Sequence, residues 1–153
     1  MNYCPNCGNK LEIRNEKTKE CLKCGYIDWN NLVNVSSIVV AYYKDQFVMV
    51  RLKENNKITF PGGYRDLGET LEEAARREFF EETGMTVNHL DVFKTYTKDS
   101  QHLVWIVYKA SIEEVSFIDN NETSEIILVK DAKDILQDEL RGNLTKQLFD
   151  DLV

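Results

Sequence analysis

Between Phe60 and Met85 the chain reads Phe60-Pro61-Gly62-Gly63, a short polar turn, and then Glu69-Thr70-Leu71-Glu72-Glu73-Ala74-Ala75-Arg76-Arg77-Glu78-Phe79-Phe80-Glu81-Glu82-Thr83-Gly84-Met85. No other stretch restricts the fold as strongly. Its second half predicts a helix. Thr70 stands as an N-cap, and Glu73, three residues on, completes a capping box. Gly84 falls where a left-handed C-terminal residue belongs. Leu71, Ala75 and Phe79 recur every four residues and so line one face. Glu78, Glu81 and Glu82 project together from one side, close enough to repel. Glu69, one residue before the cap, reaches the same end.

Crowded carboxylates need compensation. Solvent supplies it on a surface, and composition alone favours a solvated acidic helix. A hard divalent cation supplies it better, because Mg²⁺ or Mn²⁺ takes oxygen ligands and couples carboxylates to phosphate oxygens. Two features fit the cation and have no task on a solvated face. Arg77 precedes Glu81 by four residues and can orient its carboxylate. The Gly62-Gly63 pair brings bare backbone close to the helix, as phosphate approach requires.

These residues resemble the Nudix box, Gly-x5-Glu-x7-Arg-Glu-U-x-Glu-Glu-x-Gly-U, where U is bulky and apolar. Gly63, Glu69, Arg77, Glu78, Glu81, Glu82 and Gly84 fall on the fixed positions, and Phe79 and Met85 on the U positions. The resemblance implies a hydrolase that cleaves a nucleoside diphosphate linked to another moiety, by attack of water at phosphorus. It implies Glu78, Glu81 and Glu82 as ligands of Mg²⁺ or Mn²⁺, Arg77 as their orienting group and Glu69 as support. It implies Gly62 and Gly63 as backbone for the substrate. The general base varies in the family: Glu78 is one candidate, and Glu122 and Glu125, beyond the box, are others. A carboxylate among several others should have a raised pKa without metal.

The four cysteines all lie in the first 24 residues, as Cys4-Pro5-Asn6-Cys7-Gly8 and Cys21-Leu22-Lys23-Cys24-Gly25. Paired Cys-x2-Cys knuckles suit one tetrahedral ion. The segment between them, Lys10 to Glu20, predicts a hairpin with a polar tip. So short a piece cannot bury a core of its own, so structural Zn²⁺ would supply folding free energy. Disulfides or free thiols are the alternative. This segment resembles a zinc ribbon, and ribbon plus box resembles a Nudix subgroup that includes NADH pyrophosphatases. The second motif of those enzymes is Ser-Gln-Pro-Trp-Trp or a variant. Here Ser100-Gln101-His102-Leu103-Val104-Trp105 lacks the proline and the paired aromatics. ADP-ribose, another nucleoside diphosphate derivative or a nucleoside triphosphate therefore stands at least level with NADH. A Nudix-fold binding module that uses its ribbon to engage a partner is the alternative of another class. The full set of box carboxylates argues for the enzyme.

Net charge is −7, which gives no electrostatic help with nucleic-acid phosphates. A small nucleotide is the expected partner; capped RNA and a homodimer stay open. No apolar run is long enough for a membrane span, and the first residues lack a signal-peptide core, so the expected location is the cytoplasm.

Strands are predicted at Ser37–Tyr43, Gln46–Leu52, Ile58–Phe60, Val92–Thr97, Leu103–Ala110 and Ile126–Val129. Trp105 and Tyr108 read as core residues first and as base-stacking residues second. Tyr26 to Asn34 reads as a connector whose Tyr26 and Trp29 are either docking anchors or local cover for the metal site. Lys133 to Leu140 predicts a short helix. Leu144, Leu148, Phe149 and Leu152 give a last helix its apolar stripe. The expected fold is α/β: a ribbon over 1–33, then a Nudix-like domain over 35–153 with a mixed sheet between helices.

Overall fold

The structure, a computed structural model, describes residues 1–152. Two compact units divide the chain, Met1–Val33 and a second beginning at Asn34.

In the first unit, β1 (Glu12–Ile13), β2 (Lys19–Glu20) and β3 (Ile27–Asp28) form an antiparallel sheet in that order. The β1–β2 turn is held by the Asn15 carboxamide, which accepts from the N–H groups of Lys17 and Thr18 at 2.9 Å each. The stretch read as a connector thus contains a strand. Ile27 and Asp28 pair with Glu20 and Lys19, and the hairpin between them closes where Cys21 N–H donates to Tyr26 O at 2.8 Å. Cys4, Cys21 and Leu11 form a small buried cluster with Tyr26 packed on it. Tyr26 is therefore local cover. Trp29 is exposed, with the Arg14 guanidinium 5.2 Å from its ring centre.

The second unit is built on a seven-stranded mixed sheet. Its strands are β4 (Asn34–Tyr43), β5 (Gln46–Leu52), β6 (Ile58–Thr59), β7 (Gly62–Tyr64), β8 (Asp91–Lys98), β9 (Leu103–Ile112) and β10 (Thr123–Val129). The order is β10-β5-β4-β9-β8, with β6 on β5 and β7 on β4. β4 and β9 run parallel, from Asn34↔Leu103 to Tyr43↔Ile112. Along its other edge β4 changes partner. Its first half pairs with β7 and its second half with β5.

Successive β4 side chains point to opposite faces. Val39 and Ala41 meet Ala75 and Phe79 of α1 (Leu71–Thr83). Ile38 and Val40 lie in the cluster that holds Leu148 and Phe149 of α2 (Gly142–Leu152). The sheet is thus covered on both faces, as the α/β expectation required. The α1 boundaries follow the sequence signals. Thr70 Oγ1 accepts from Glu73 N–H and Glu73 Oε2 accepts from Thr70 N–H, both at 3.1 Å. Gly84 ends the helix at φ 80°, and its N–H reaches Phe80 O at 2.7 Å. Phe79, fully buried, fills the space between α1 and the sheet.

One expected helix is absent. Residues 133–140 form two separate 3₁₀ turns, Ala132–Asp134 and Gln137–Glu139, with Ile135 and Leu136 extended between them. Ile135 and Leu140 are both buried in the α2-side core. On an α-helix, residues five apart face different sides, so a continuous helix would bury one and expose the other. Among the described residues, no helix is long and apolar enough to cross a membrane.

Candidate active site

The second unit opens into a cleft of about 1690 Å³. Its acidic end is made where β7 meets α1. Gly62 pairs with Ile38 so closely that a Cβ would strike Ser37 O and lie 2.9 Å from Ile38 Cα. At Gly63 a Cβ would collide with the Glu78 carboxylate. Both glycines are therefore required by close approach, the second by approach to a carboxylate.

Arg77 organises the outer side of the helix. Its Nε and Nη2 donate to the two oxygens of Glu69 at 3.0 and 2.8 Å. Its Nη1 donates to Glu78 Oε1 at 2.9 Å and to Glu81 Oε2 at 3.2 Å, and Nη2 also reaches Tyr64 O at 3.0 Å. The sequence pairs Arg77 with Glu81; the structure gives its best geometry to Glu69 and Glu78. The Arg77 fork, with the N–H of Asp66 at 2.6 Å, holds the Glu69 carboxyl down at about 2.

The inner side lacks such compensation. Glu82 is only 5% exposed. Burial, and then the Glu78 charge, push it up to about 8 against the hydrogen bond it accepts from Gly62 N–H at 3.2 Å. Burial also raises Glu78, opposed by Arg77. Both line the cleft together with Glu122, whose charge raises both. Glu81 is half exposed and bound to Arg77.

The two candidates beyond the box part ways. Glu122 is delivered to the cleft by Asn120. That carboxamide accepts from the N–H groups of Glu122 and Thr123 at 2.9 Å each, and donates to Glu82 O at 3.0 Å. Glu125 pairs instead with Arg51, 2.8 Å away, and is half exposed. Asn120 was invisible as a site residue, although its turn to Thr123 has the side-chain-to-backbone pattern typical of asparagine. Arg141, which also lines the cleft, carries no motif at all. Trp105 is half-buried and lines the cleft, whereas Tyr108 is core. Gln101, from the short segment between β8 and β9, also lines it.

In the first unit, the four cysteine sulfurs all lie within 4.8 Å of one another. Cys4 and Cys24 are 3.4 Å apart and Cys7 and Cys21 3.5 Å. A disulfide would need ~2.05 Å, so the thiols are free. Sulfurs around a tetrahedral ion at ~2.3 Å are roughly 3.8 Å apart, close to what is seen. Gly8 and Gly25, at φ 80° and 81°, close the two knuckles by N–H bonds of 2.9 Å to Cys4 O and Cys21 O. The Cys24 N–H, more than any other group, lowers Cys21 to about 6. Against the Tyr26 N–H, the Cys4 sulfur and burial raise Cys24 to about 12, so the ion-free cluster favours one thiolate rather than four. Among the described residues, these sulfurs are the set that gathers at ligand spacing.

The family model described as "NUDIX domain" matches residues 33–148. The chain is similar to a NAD-capped RNA hydrolase NudC of Haemophilus influenzae, 33% identical over 98 residues, which are 60% of this chain and 36% of the relative. A NAD-capped RNA hydrolase NudC of Vibrio vulnificus is 29% identical over 97 residues, 61% of this chain and 36% of the relative. The match thus spans little more than a third of those relatives' length. Among solved structures, a NUDIX hydrolase from Nitrosomonas europaea superposes with a TM-score of 0.75 at 21% identity, covering 99% of this chain and 88% of the other. An ADP-ribose pyrophosphatase from Streptococcus suis gives 0.59 at 18%, covering 67% and 76%. These two likenesses speak for the fold.

Proposed function

The chain belongs to the Nudix family, and from that premise we propose that it hydrolyses the pyrophosphate bond of a nucleotide-linked substrate. The observation that carries this reading is Glu82: a carboxylate buried beside Glu78 and Glu122 at the floor of an open cleft, next to the backbone of Gly62 and Gly63. Burying carboxylates side by side is costly unless a cation offsets them. The donor set is all oxygen and fits Mg²⁺ or Mn²⁺.

Glu78, Glu81 and Glu82 would hold that cation, with Gly63 leaving room for the Glu78 carboxylate. When bound, it supplies neutralisation of phosphate charge and acidifies a water molecule. The chain's own groups do the remaining work. Arg77 fixes Glu78 and Glu81 through its fork and is itself fixed by Glu69. Gly62 N–H aims Glu82. Glu122, set by Asn120 over the same floor, takes the proton of the attacking water in preference to Glu125, which is occupied with Arg51. Trp105 offers an aromatic face for a base in the cleft wall. The residues from 35 onward form the hydrolase domain, and residues 1–33 form a ribbon whose four thiolates hold a structural Zn²⁺.

ADP-ribose, a related dinucleotide and NAD-capped RNA are the substrates to compare, the last because curated relatives carry that activity in their names. Incubation of the purified protein with Mg²⁺ and this panel in oxygen-labelled water tests the reading. Two monophosphates, with label on one phosphate, are expected. No turnover, or label on a sugar carbon alone, overturns it.

A further inference from the structure

We propose that Arg141 is a substrate-contacting residue that binds the pyrophosphate in the cleft lined by Glu78 and Glu82. The proposal rests on the pyrophosphatase reading and deepens it.

The backbone around Arg141 is fixed on both sides. Its N–H donates to Ile58 O at 2.9 Å, and its own carbonyl accepts from Thr145 Oγ1 at 2.8 Å. Leu140, immediately before it, is buried and bridges to Ile58. The side chain, in contrast, is exposed and lines the same cleft as Gly62, Gly63, Glu78, Glu82 and Glu122. Two other cations of the lining are engaged, Lys53 with Asp119 and Lys94 with Asp151, each at 3.2 Å, whereas Lys98, exposed on β8, has no ion pair among the described residues but lacks the planar fork of a guanidinium. The Arg141 guanidinium has no ion-pair or hydrogen-bond partner among the described residues. It is near enough for its charge to favour ionised Glu82, yet it forms no salt bridge with it.

Its position runs against local preference. Arg141 directly precedes α2, whose first turn contains no acidic residue. A cation at the positive end of a helix is unfavourable. A residue that breaks a local rule without a structural partner is where function is expected. Arg77 cannot serve in its place, because its donors are spent on Glu69, Glu78, Glu81 and Tyr64 O. A pyrophosphate diester carries two negative charges, and the glutamates approach it from one side through a cation. The oxygens that the cation leaves free need donors of their own. A planar guanidinium, which binds phosphate oxygens in pairs, is suited to this.

The test compares the parent with Arg141→Ala and Arg141→Lys, using ADP-ribose and Mg²⁺ and checking each variant's melting temperature. Arg141→Ala should lose about 10²-fold in kcat/KM, and Arg141→Lys should recover only part of it. Low-millimolar guanidinium should restore Arg141→Ala while leaving the parent unchanged. Calorimetric binding of imidodiphosphate with Mg²⁺ should weaken about 10-fold in Arg141→Ala. Arg141→Ala within threefold of the parent, with no response to guanidinium and unchanged imidodiphosphate binding, overturns the role of Arg141 and leaves the pyrophosphatase reading intact. A parent that turns over none of the panel and does not bind imidodiphosphate overturns both.

Discussion

Arg77 and Glu69 meet as a two-pronged pair across one turn of loop and two of helix, with Nη2–Oε1 at 2.8 Å and Nε–Oε2 at 3.0 Å. The pair joins the polar turn after β7 to α1 and leaves Nη1 for Glu78 and Glu81. Lysine presents a single point of donation and cannot satisfy both sides. Arg77→Lys should therefore cost about 1–3 kcal/mol of stability in urea titration, and should lower kcat more than it raises KM.

Two carboxyl groups of the site, one inside this network and one beyond it, make opposite demands on pH. Glu69, held at about 2, contributes stability that is complete above the ordinary glutamate value and lost as pH falls through its own. Glu82 is raised to about 8. Between the ordinary value and about 8, the metal-free native state keeps a proton that the unfolded chain releases, so stability falls as pH rises. Urea titrations of metal-free protein should show this decline from pH 5 to 8 and show it flattened in Glu82→Gln. An unchanged slope in the variant would assign the pH dependence elsewhere.

The same substitution separates an acidic surface from a site. Glu82→Gln, at saturating Mg²⁺, should lower turnover about 10²–10³-fold. Glu72→Gln, from the first turn of α1, should lie within a few-fold of the parent. Equal small losses at the two positions, read by monophosphate release, would remove Glu82 from the mechanism.

The two glycines of β7 should separate stability from activity. At Gly62 a methyl group meets backbone of β4, which has nowhere to go; Gly62→Ala should cost about 1–3 kcal/mol. At Gly63 it meets the end of the Glu78 side chain, which can swing away. Gly63→Ala should keep most of its thermal stability and lose most of its activity.

Freshly isolated, reduced protein should carry about one Zn²⁺ per chain by elemental analysis, because four sulfurs within 4.8 Å of one another suit a tetrahedral ion. Cys24→Ser should increase amide exchange throughout residues 1–33 while exchange in β4 and β9 stays slow. Zinc-free protein with an unchanged first unit would contradict a structural ion.

The box and its helix were legible because each signal is local. Cap, αL glycine and four-residue apolar spacing all act within one turn or two, and the structure repeats them residue for residue; the glutamates divide, with Glu78 and Glu82 lining the cleft and Glu81 half exposed on Arg77. Six strands of the second unit were legible for the same reason, and their ends moved by only a few positions; β7, whose two glycines carry no strand signal, was not. Residues 133–140 were not, because burial of Ile135 and Leu140 is decided by β4, β5 and β6, which lie far away in sequence. Glu122 and Glu125 were indistinguishable in sequence. What separates them is the Asn120 turn on one side and Arg51, on a neighbouring strand, on the other. Arg141 had no signal, since nothing in its neighbours announces which cleft it lines. β3 was hidden because a two-residue strand has no period to detect.

The parallel pairing of β4 with β9 has a consequence for how the protein comes into being. β6, β7 and α1, which carry the glycines and the glutamates, all lie inside the long stretch of chain that this pairing closes. Closing it loses chain entropy before any of its contacts form, and such distant contacts slow folding. During that interval Glu82 is still in water and ionises as an ordinary carboxylate. Its proton uptake should therefore track the formation of the native sheet rather than the earlier winding of the helix that bears it.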